Sequence, residues 1–314
     1  MPDVTCLGIL VADLVGKPVD EYPGRGKLVL VDQLELHSGG CAANTSVALA
    51  KIGISTGIIG KVGVDGLGDF MISVLTKYGI SAANVVRDRN VGTSGTMVMV
   101  HSDGERSFIH YLGANAALTE EDVDFEQLAG TKILHVAGTF LMPAIDGEPT
   151  ARVLKKAKEM GIITSLDTAW DSKGRWMSVL KPCLPYIDYA VPSIEEARMV
   201  TGKHDPADVA KELMDNGVKT VALKMGVDGC YIRSADEEFT IRRFDVEAID
   251  ALGAGDCFAA GFLTGILKGW DLESTGRFAN AVGASCVMAL GATTGVKSLE
   301  ETQRFMENAQ YAKQ

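Results

Sequence analysis

The 314 residues include 46% hydrophobic and 23% charged side chains and carry a formal charge of −11, the make-up of an ordinary water-soluble globular protein. The acidic balance argues against nucleic acid or an anionic membrane as a main partner, and no run of 18 apolar residues predicts a transmembrane helix. The N-terminus carries Asp3 and no basic segment, unlike a signal peptide, and Cys6, Cys41, Cys183, Cys230, Cys257 and Cys286 form no C-x-x-C pair, so they read as reduced core thiols of a cytoplasmic protein.

A chain of this size reads as one α/β domain with an excursion. Pro18, Pro23, Gly24 and Gly26 precede KLVLVDQLELHSGG (27–40), whose second half alternates apolar and polar residues at period two. SGGCAANTSVALAKIG (38–53) sets a glycine pair before a helix start. TGIIG (56–60) reads as a strand and GLGDFMISVLTKYG (66–79) as a helix closed by Gly79. TSGTMVMVHSDGERSFIHYLG (93–113) reads as a hairpin turning at Asp103-Gly104. Strands at KILHVAG (132–138), IITSLD (162–167), YIDYAVP (186–192) and VKTVALKMG (218–226) then alternate with helices. Those helices lie near 148–160, over SIEEARMVTG (193–202) and over DPADVAKELMDNG (205–217), which opens on Asp-Pro and closes at Gly217. Helices near 255–268, 273–290 and 298–309 follow.

This alternation predicts an α/β fold of three αβα layers around a mostly parallel sheet. Residues 14–38 and 91–112 break the rhythm and predict a small β-sheet lid, leaving 1–13, 39–90 and 113–314 as the main domain. In DQLELH, Leu34 and Leu36 face one side and Gln33, Glu35 and His37 the other. In TMVMVH, Met97, Val98, Met99 and Val100 make both faces apolar, so one face can cover a pocket while the other needs a partner. A second copy of the chain, in a twofold dimer through the lid, is the expected partner.

IDALGAGDCFAAGF (249–262) carries the chemistry. Gly253, Ala254 and Gly255 expose backbone N–H groups at the mouth of a helix, where the helix dipole adds positive charge and makes an anion site. A side chain at Gly255 would crowd that site and strain its backbone. Asp256 then has two readings, as a helix-start acid or as a general base on an incoming hydroxyl. The P-loop pattern occurs nowhere, and G-x-G-x-x-G fails because Phe258 fills its last position. In the second glycine cluster, Asn44 offers a donor and an acceptor to polyol hydroxyls, unless the turn serves only close helix packing.

Together these stretches resemble the PfkB (ribokinase-like) carbohydrate kinases. Gly39, Gly40, Ala42, Asn44, Ser46, Gly53 and Gly63 match the N-terminal signature, and Asp250, Gly253, Ala254, Gly255, Asp256, Ala260 and Gly261 the C-terminal one. Ala251 departs from the usual Thr, Ser, Val or Pro. The resemblance implies a kinase that moves the γ-phosphate of ATP to a hydroxyl of a small sugar or sugar derivative. In it Asp256 is the base, and the amides of Gly253, Ala254 and Gly255 are the anion hole. By the same resemblance Asp13, Gly39, Gly40, Asn44 and Asn115 bind substrate, while Lys224, Gly226, Gly229, Asn280 and Ser193 bind nucleotide. Glu196 handles Mg²⁺ through water, with Ser193 standing where the family has Asn. Asp250, Leu252, Cys286, Ala289, Gly291 and Gly295 match a monovalent-cation site, K⁺ being the expected ion.

Two other functions stay open. A nucleoside kinase of the same family would use Met99, Phe108 and Tyr111 as a base slot. A non-catalytic sugar or nucleotide sensor has no use for Asp256. The family's ribose-specific members carry a Glu near VAGTFLM (136–142), where this chain has no acid. His37 and His110 fall in the lid strands, within reach of substrate or half-exposed.

Overall fold

Two sheets divide the strands of the computed structural model, which describes residues 1–312. In chain order the strands are β1 (Val4–Gly8), β2 (Val11–Lys17), β3 (Gln33–Gly39), β4 (Thr56–Gly63), β5 (Ser81–Asp88), β6 (Gly95–Val100) and β7 (Arg106–Tyr111). There follow β8 (Ile133–Thr139), β9 (Ile163–Thr168), β10 (Tyr189–Ala190), β11 (Thr220–Lys224), β12 (Cys230–Arg233) and β13 (Glu238–Ile241). The large sheet runs β13-β12-β11-β10-β9-β8-β1-β4-β5 and the small one β3-β2-β6-β7. From β5 to β11 every pairing in the large sheet is parallel; β12 and β13 add an antiparallel edge.

The helices are α1 (Cys41–Ile52), α2 (Gly66–Lys77), α3 (Phe125–Leu128), α4 (Glu148–Glu159), α5 (Met177–Leu180), α6 (Ile194–Thr201), α7 (Pro206–Asp215), α8 (Ala254–Lys268), α9 (Leu272–Val287) and α10 (Leu299–Asn308). β1, β4 and β8 are buried at every position, because helices cover both faces of a parallel sheet. Successive residues of β8 join opposite cores. Leu134 and Val136 pack with α4 and α7, while Ile133 and Ala137 pack with α1 and α8. Between α8 and α9 the spacing is set by small residues: a Cβ on Gly261 would lie 2.8 Å from Ala279 Cα, and one on Gly265 2.5 Å from Thr275 Oγ1.

The three-layer expectation holds, and the separate small sheet is present but mixed, because its central pair β2 and β6 runs parallel; other differences are in detail. β1, β2, β5, β12 and β13 were not expected as strands. The 186–192 segment keeps only Tyr189–Ala190 as strand. Residues 27–32 form an exposed loop, not a strand, and β3 begins at Gln33. α9 stops at Val287, three residues before its expected end, where the Val287 carbonyl accepts the amides of Ile249 and Asp250. The Asp103-Gly104 turn lies between β6 and β7 as expected.

In the small sheet, β2 pairs antiparallel with β3 and parallel with β6, and β7 closes it. Register places Leu36, Leu14, Met97 and Ile109 side by side across the four strands, and His37, Asp13, Thr96 and His110 in the next row. Neighbouring rows of a pleated sheet face opposite ways. The polar row therefore shares its face with Arg106, whose side chain reaches Asp250 on the main body.

Candidate functional site

The strand ends at the carboxyl edge of a parallel sheet are where α/β folds place ligands. Here that edge gathers the loop before α8, the ends of β9 and β11 and the start of α6. Gly253 caps α8 at φ 76°, a left-handed conformation that L side chains avoid. A Cβ there would also lie 2.2 Å from the Ala292 carbonyl oxygen. Gly255 differs: its φ is ordinary, and the three atoms nearest an added Cβ all belong to Lys224, with Nζ nearest at 3.2 Å. The expectation of backbone strain at 255 is thus corrected; its bare Cα makes room for a lysine. Gly253→Ala is therefore expected to cost kcat at least about tenfold through a displaced loop, and more than Gly255→Ala. Steady-state kinetics of the two variants, with melting curves alongside, measure the difference.

Asp256 stands in the first turn of α8. Asn44 Nδ2 donates to its Oδ2 at 2.8 Å, and Thr45 Oγ1 to its backbone carbonyl at 3.3 Å. Asn44, expected to bind substrate, thus holds the Asp256 carboxylate. Burial pushes the Asp256 carboxyl above the usual 3.8, against the Asn44 hydrogen bond and the Lys224 charge. Desolvation is the largest cause of the shift.

Lys224 ends β11, and its Nζ lies 2.5 Å from Oδ2 of Asp167, near the end of β9. Both are almost entirely buried. Burial pushes Asp167 up to about 7; Lys224 opposes this, while the Glu196 and Asp256 carboxylates add to it. Lys224 holds its proton because Asp167, Glu196 and Asp256 together outweigh its desolvation. Asp167 was not among the expected site residues. Its signal was present, an acid closing a buried strand, but its partner lies 57 residues on.

At α6, Ser193 and Glu196 form a reciprocal cap. Ser193 Oγ accepts the Glu196 amide at 3.3 Å, and Glu196 Oε2 accepts the Ser193 amide at 3.2 Å. Thr168 Oγ1 donates to the same Oε2 at 2.8 Å. The Ser193 oxygen thereby accepts from the helix start, whereas Glu196 Oε1 has no protein donor among the described residues.

Beside this cluster opens a mostly apolar cavity of about 270 Å³, whose walls include Val227, Phe244, Ala251, Ala254, Gly255 and Val287. Lys224, Gly226, Gly229 and Asn280 line it as well. Asn280 Nδ2 is engaged by the carbonyls of Ile241 and Arg242, at 3.1 and 3.2 Å.

Across the cleft, Asp13 lies in the polar row of the small sheet, its pKa raised by burial against the pull of Thr96 and His37. Gly39 is bare because a Cβ would fall 2.0 Å from Asp13 Oδ2. Gly40 turns the chain into α1 at φ 92°. Asn115 has another task than the expected one. Its Oδ1 accepts Leu10 N and its Nδ2 donates to Leu10 O, both at 3.1 Å, clamping the backbone just before β2. His110 bonds Thr96 Oγ1 at 3.1 Å, and burial holds its pKa below the usual value. Phe108 shares the polar face, but Met99 and Tyr111 share the other, so the three form no common slot.

The residues matched to a monovalent cation do not fit one. The Asp250 carboxylate is already bound by Leu252 N, Gly291 N and Arg106 Nη2, each at 2.9 Å. The Leu252 carbonyl accepts the Cys286 thiol at 3.4 Å. Lys51 Nζ takes the carbonyls of Thr293 and Thr294 at 2.7 and 2.8 Å. Asp250, the one side-chain carboxylate in the matched set, thus already has a cationic partner from the protein, and Ala289, Gly291 and Gly295 could contribute backbone carbonyls only.

A family model, pfkB family carbohydrate kinase, matches residues 1–299. An uncharacterized sugar kinase of Archaeoglobus fulgidus is 30% identical over 251 residues, covering 80% of this chain and 98% of that protein. The 2-dehydro-3-deoxygluconokinase of Bacillus subtilis is 29% identical over 281 residues, 85% of this chain and 86% of that one. Among solved structures, a ribokinase from Thermotoga maritima superposes with a TM-score of 0.84 at 26% identity, over 98% of this chain and 100% of that one. An Arabidopsis thaliana ribokinase complexed with ribose and ATP gives 0.87 at 24%, over 98% and 99%, a likeness of fold.

Proposed function

The chain belongs to the pfkB family of carbohydrate kinases, and from that premise we propose that it transfers the γ-phosphate of ATP to a hydroxyl of a small sugar or sugar derivative. One observation carries the reading. A partly buried carboxylate, Asp256, stands one residue past a Gly-Ala-Gly helix mouth that opens on an apolar cavity, with a buried lysine against it. Phosphoryl transfer asks the protein for positioning and charge stabilisation above all. The amides of Gly253, Ala254 and Gly255 receive the transferring group's charge, and Lys224 adds a fixed cation beside them. Asp256, oriented by Asn44, takes the acceptor's proton. The apolar cavity takes the adenine, and Asp13 with the Thr96 row takes the sugar hydroxyls.

Mg²⁺ would supply charge neutralisation on the phosphates. No group of three His, Cys, Asp or Glu side chains forms a metal cage among the described residues, which suits an ion held by phosphate oxygens and water. Glu196, with Oε1 open, is the residue that would hold one of those waters. The small sheet, over 14–38 and 91–112, acts as the lid that excludes water from the cleft. We assign the enzyme to the cytoplasm, where thiols stay reduced. All six cysteines are free, and no helix among the described residues is long and apolar enough to cross a membrane.

The test is ADP release across a panel of sugars, sugar acids and nucleosides. Turnover with a sugar or sugar acid supports the reading; turnover confined to nucleosides, or ATP binding without turnover, overturns it. No observation favours a nucleoside, since Met99 and Tyr111 lie across the sheet from Phe108.

The lid's outer face is the proposed dimer contact. Leu14, Leu36, Met97 and Ile109 lie in one row there and are between 38% and 52% exposed. Val98 and Val100 share the Asp13 face instead, so a test through lysines at those two positions would probe the pocket. Met97→Lys with Ile109→Lys is expected to turn a dimer into a monomer in sedimentation. A monomeric wild type, or a variant that stays dimeric, overturns the contact.

A further inference from the structure

Arg106 stands on β7 of the small sheet, and Asp250 opens the anion-hole loop on the main body. Nη2 of the arginine lies 2.9 Å from Oδ1 of the aspartate, whose side chain is 3% exposed. The same carboxylate accepts Leu252 N on Oδ1 and Gly291 N on Oδ2. One side chain thus ties together the loop before α8, the turn after α9 and the small sheet. A carboxylate this deeply buried needs a charged partner, and Arg106 is the one it has among the described residues. Lys51 anchors the same turn from α1, through the carbonyls of Thr293 and Thr294.

Resting on the kinase reading, we propose that Arg106 is a positioning residue: its guanidinium is the fixed counter-cation of Asp250, in place of a soluble monovalent ion, and it holds the anion-hole loop in shape when the small sheet lies over the cleft. The charge sits on the element that moves. When the sheet lifts, Asp250 keeps two amides and loses its cation, and the loop is held less tightly. Closure over substrate and completion of the anion hole then become one event, which confines fast phosphoryl transfer to the closed enzyme.

The experiment compares wild type, Arg106→Met, Arg106→Lys and Arg106→Met/Asp250→Asn in K⁺, Na⁺ and choline buffers. Wild type is expected to run at equal rates in all three. Arg106→Met is expected to lose about 10- to 100-fold in kcat with the KM for ATP little changed. Added guanidinium or K⁺ should recover part of that loss, and Arg106→Lys should keep most of the rate. The double variant should lose no more than the single one, because the two changes remove one interaction. A second readout needs no turnover: amide hydrogen exchange at Leu252 and Gly253 should quicken in Arg106→Met while the α8 and α9 cores stay protected. If no acceptor is phosphorylated by wild type, the kinase reading fails and the exchange experiment still decides the latch. Several-fold K⁺ stimulation of wild type, a kcat for Arg106→Met within twofold, or unchanged exchange overturns the proposal.

Discussion

Asp256→Asn is expected to stop turnover while leaving ATP binding nearly intact. The amide keeps the shape of the carboxylate and can still meet Asn44, so the first turn of α8 stays in place. What goes is the group that accepts the acceptor's proton. Loss of a positioned general base costs about 10²–10⁴-fold, and a kcat within tenfold of wild type would refute the role. The pH profile gives an independent check. The base works ionised, so kcat/KM must fall on the acid side as Asp256 takes up a proton. Burial raises its pKa from the ordinary 3.8, against the pull of Asn44 and Lys224, so the acid limb should lie above that value. Asn44→Ala removes one downward pull and should move the limb to higher pH. A limb that ignores this change would belong to another group.

What was legible in the sequence was what is local in it. Gly253, Ala254, Gly255 and Asp256 are consecutive, and the helix mouth they form can be read without knowing the fold. Asn44 was legible as a site residue, but its partner is 212 residues away, and hydroxyl recognition is what its side chain suggests in isolation. Asn115 shows the same limit from the other side: its amide is used up by the Leu10 backbone, a contact no spacing announces. Asp167 and Arg106 were missed because each gains its meaning from one long-range ion pair. Secondary structure failed for related reasons. β1 is a short, wholly buried run with no alternation to betray it, and α9 ends early because a distant loop takes its last carbonyl.

Lys224→Met is expected to lower kcat about 10²–10³-fold, the scale of losing one fixed charge from a preorganised anion site. A structural complication must be separated from that loss. Removing one member of a buried pair leaves the other uncompensated, at about 3–5 kcal/mol when it stays charged. Asp167 has an escape, because burial already pushes its carboxyl up to about 7, and without Lys224 it rises further and takes a proton. A group whose folded pKa is raised binds more protons folded than unfolded, so folding stability drops as pH climbs from 3.8 toward the folded value. The variant should therefore melt closer to wild type at about pH 5 than at about pH 8. Asp167→Asn added to Lys224→Met removes the stranded acid and should recover most of the melting midpoint at the higher pH. It should recover none of the turnover, since the new amide brings no cation to the phosphates. If the double variant regains kcat to within tenfold of wild type, Lys224 serves only to neutralise Asp167. If its melting midpoint stays depressed, the pair is not what holds β9 and β11 together at the site.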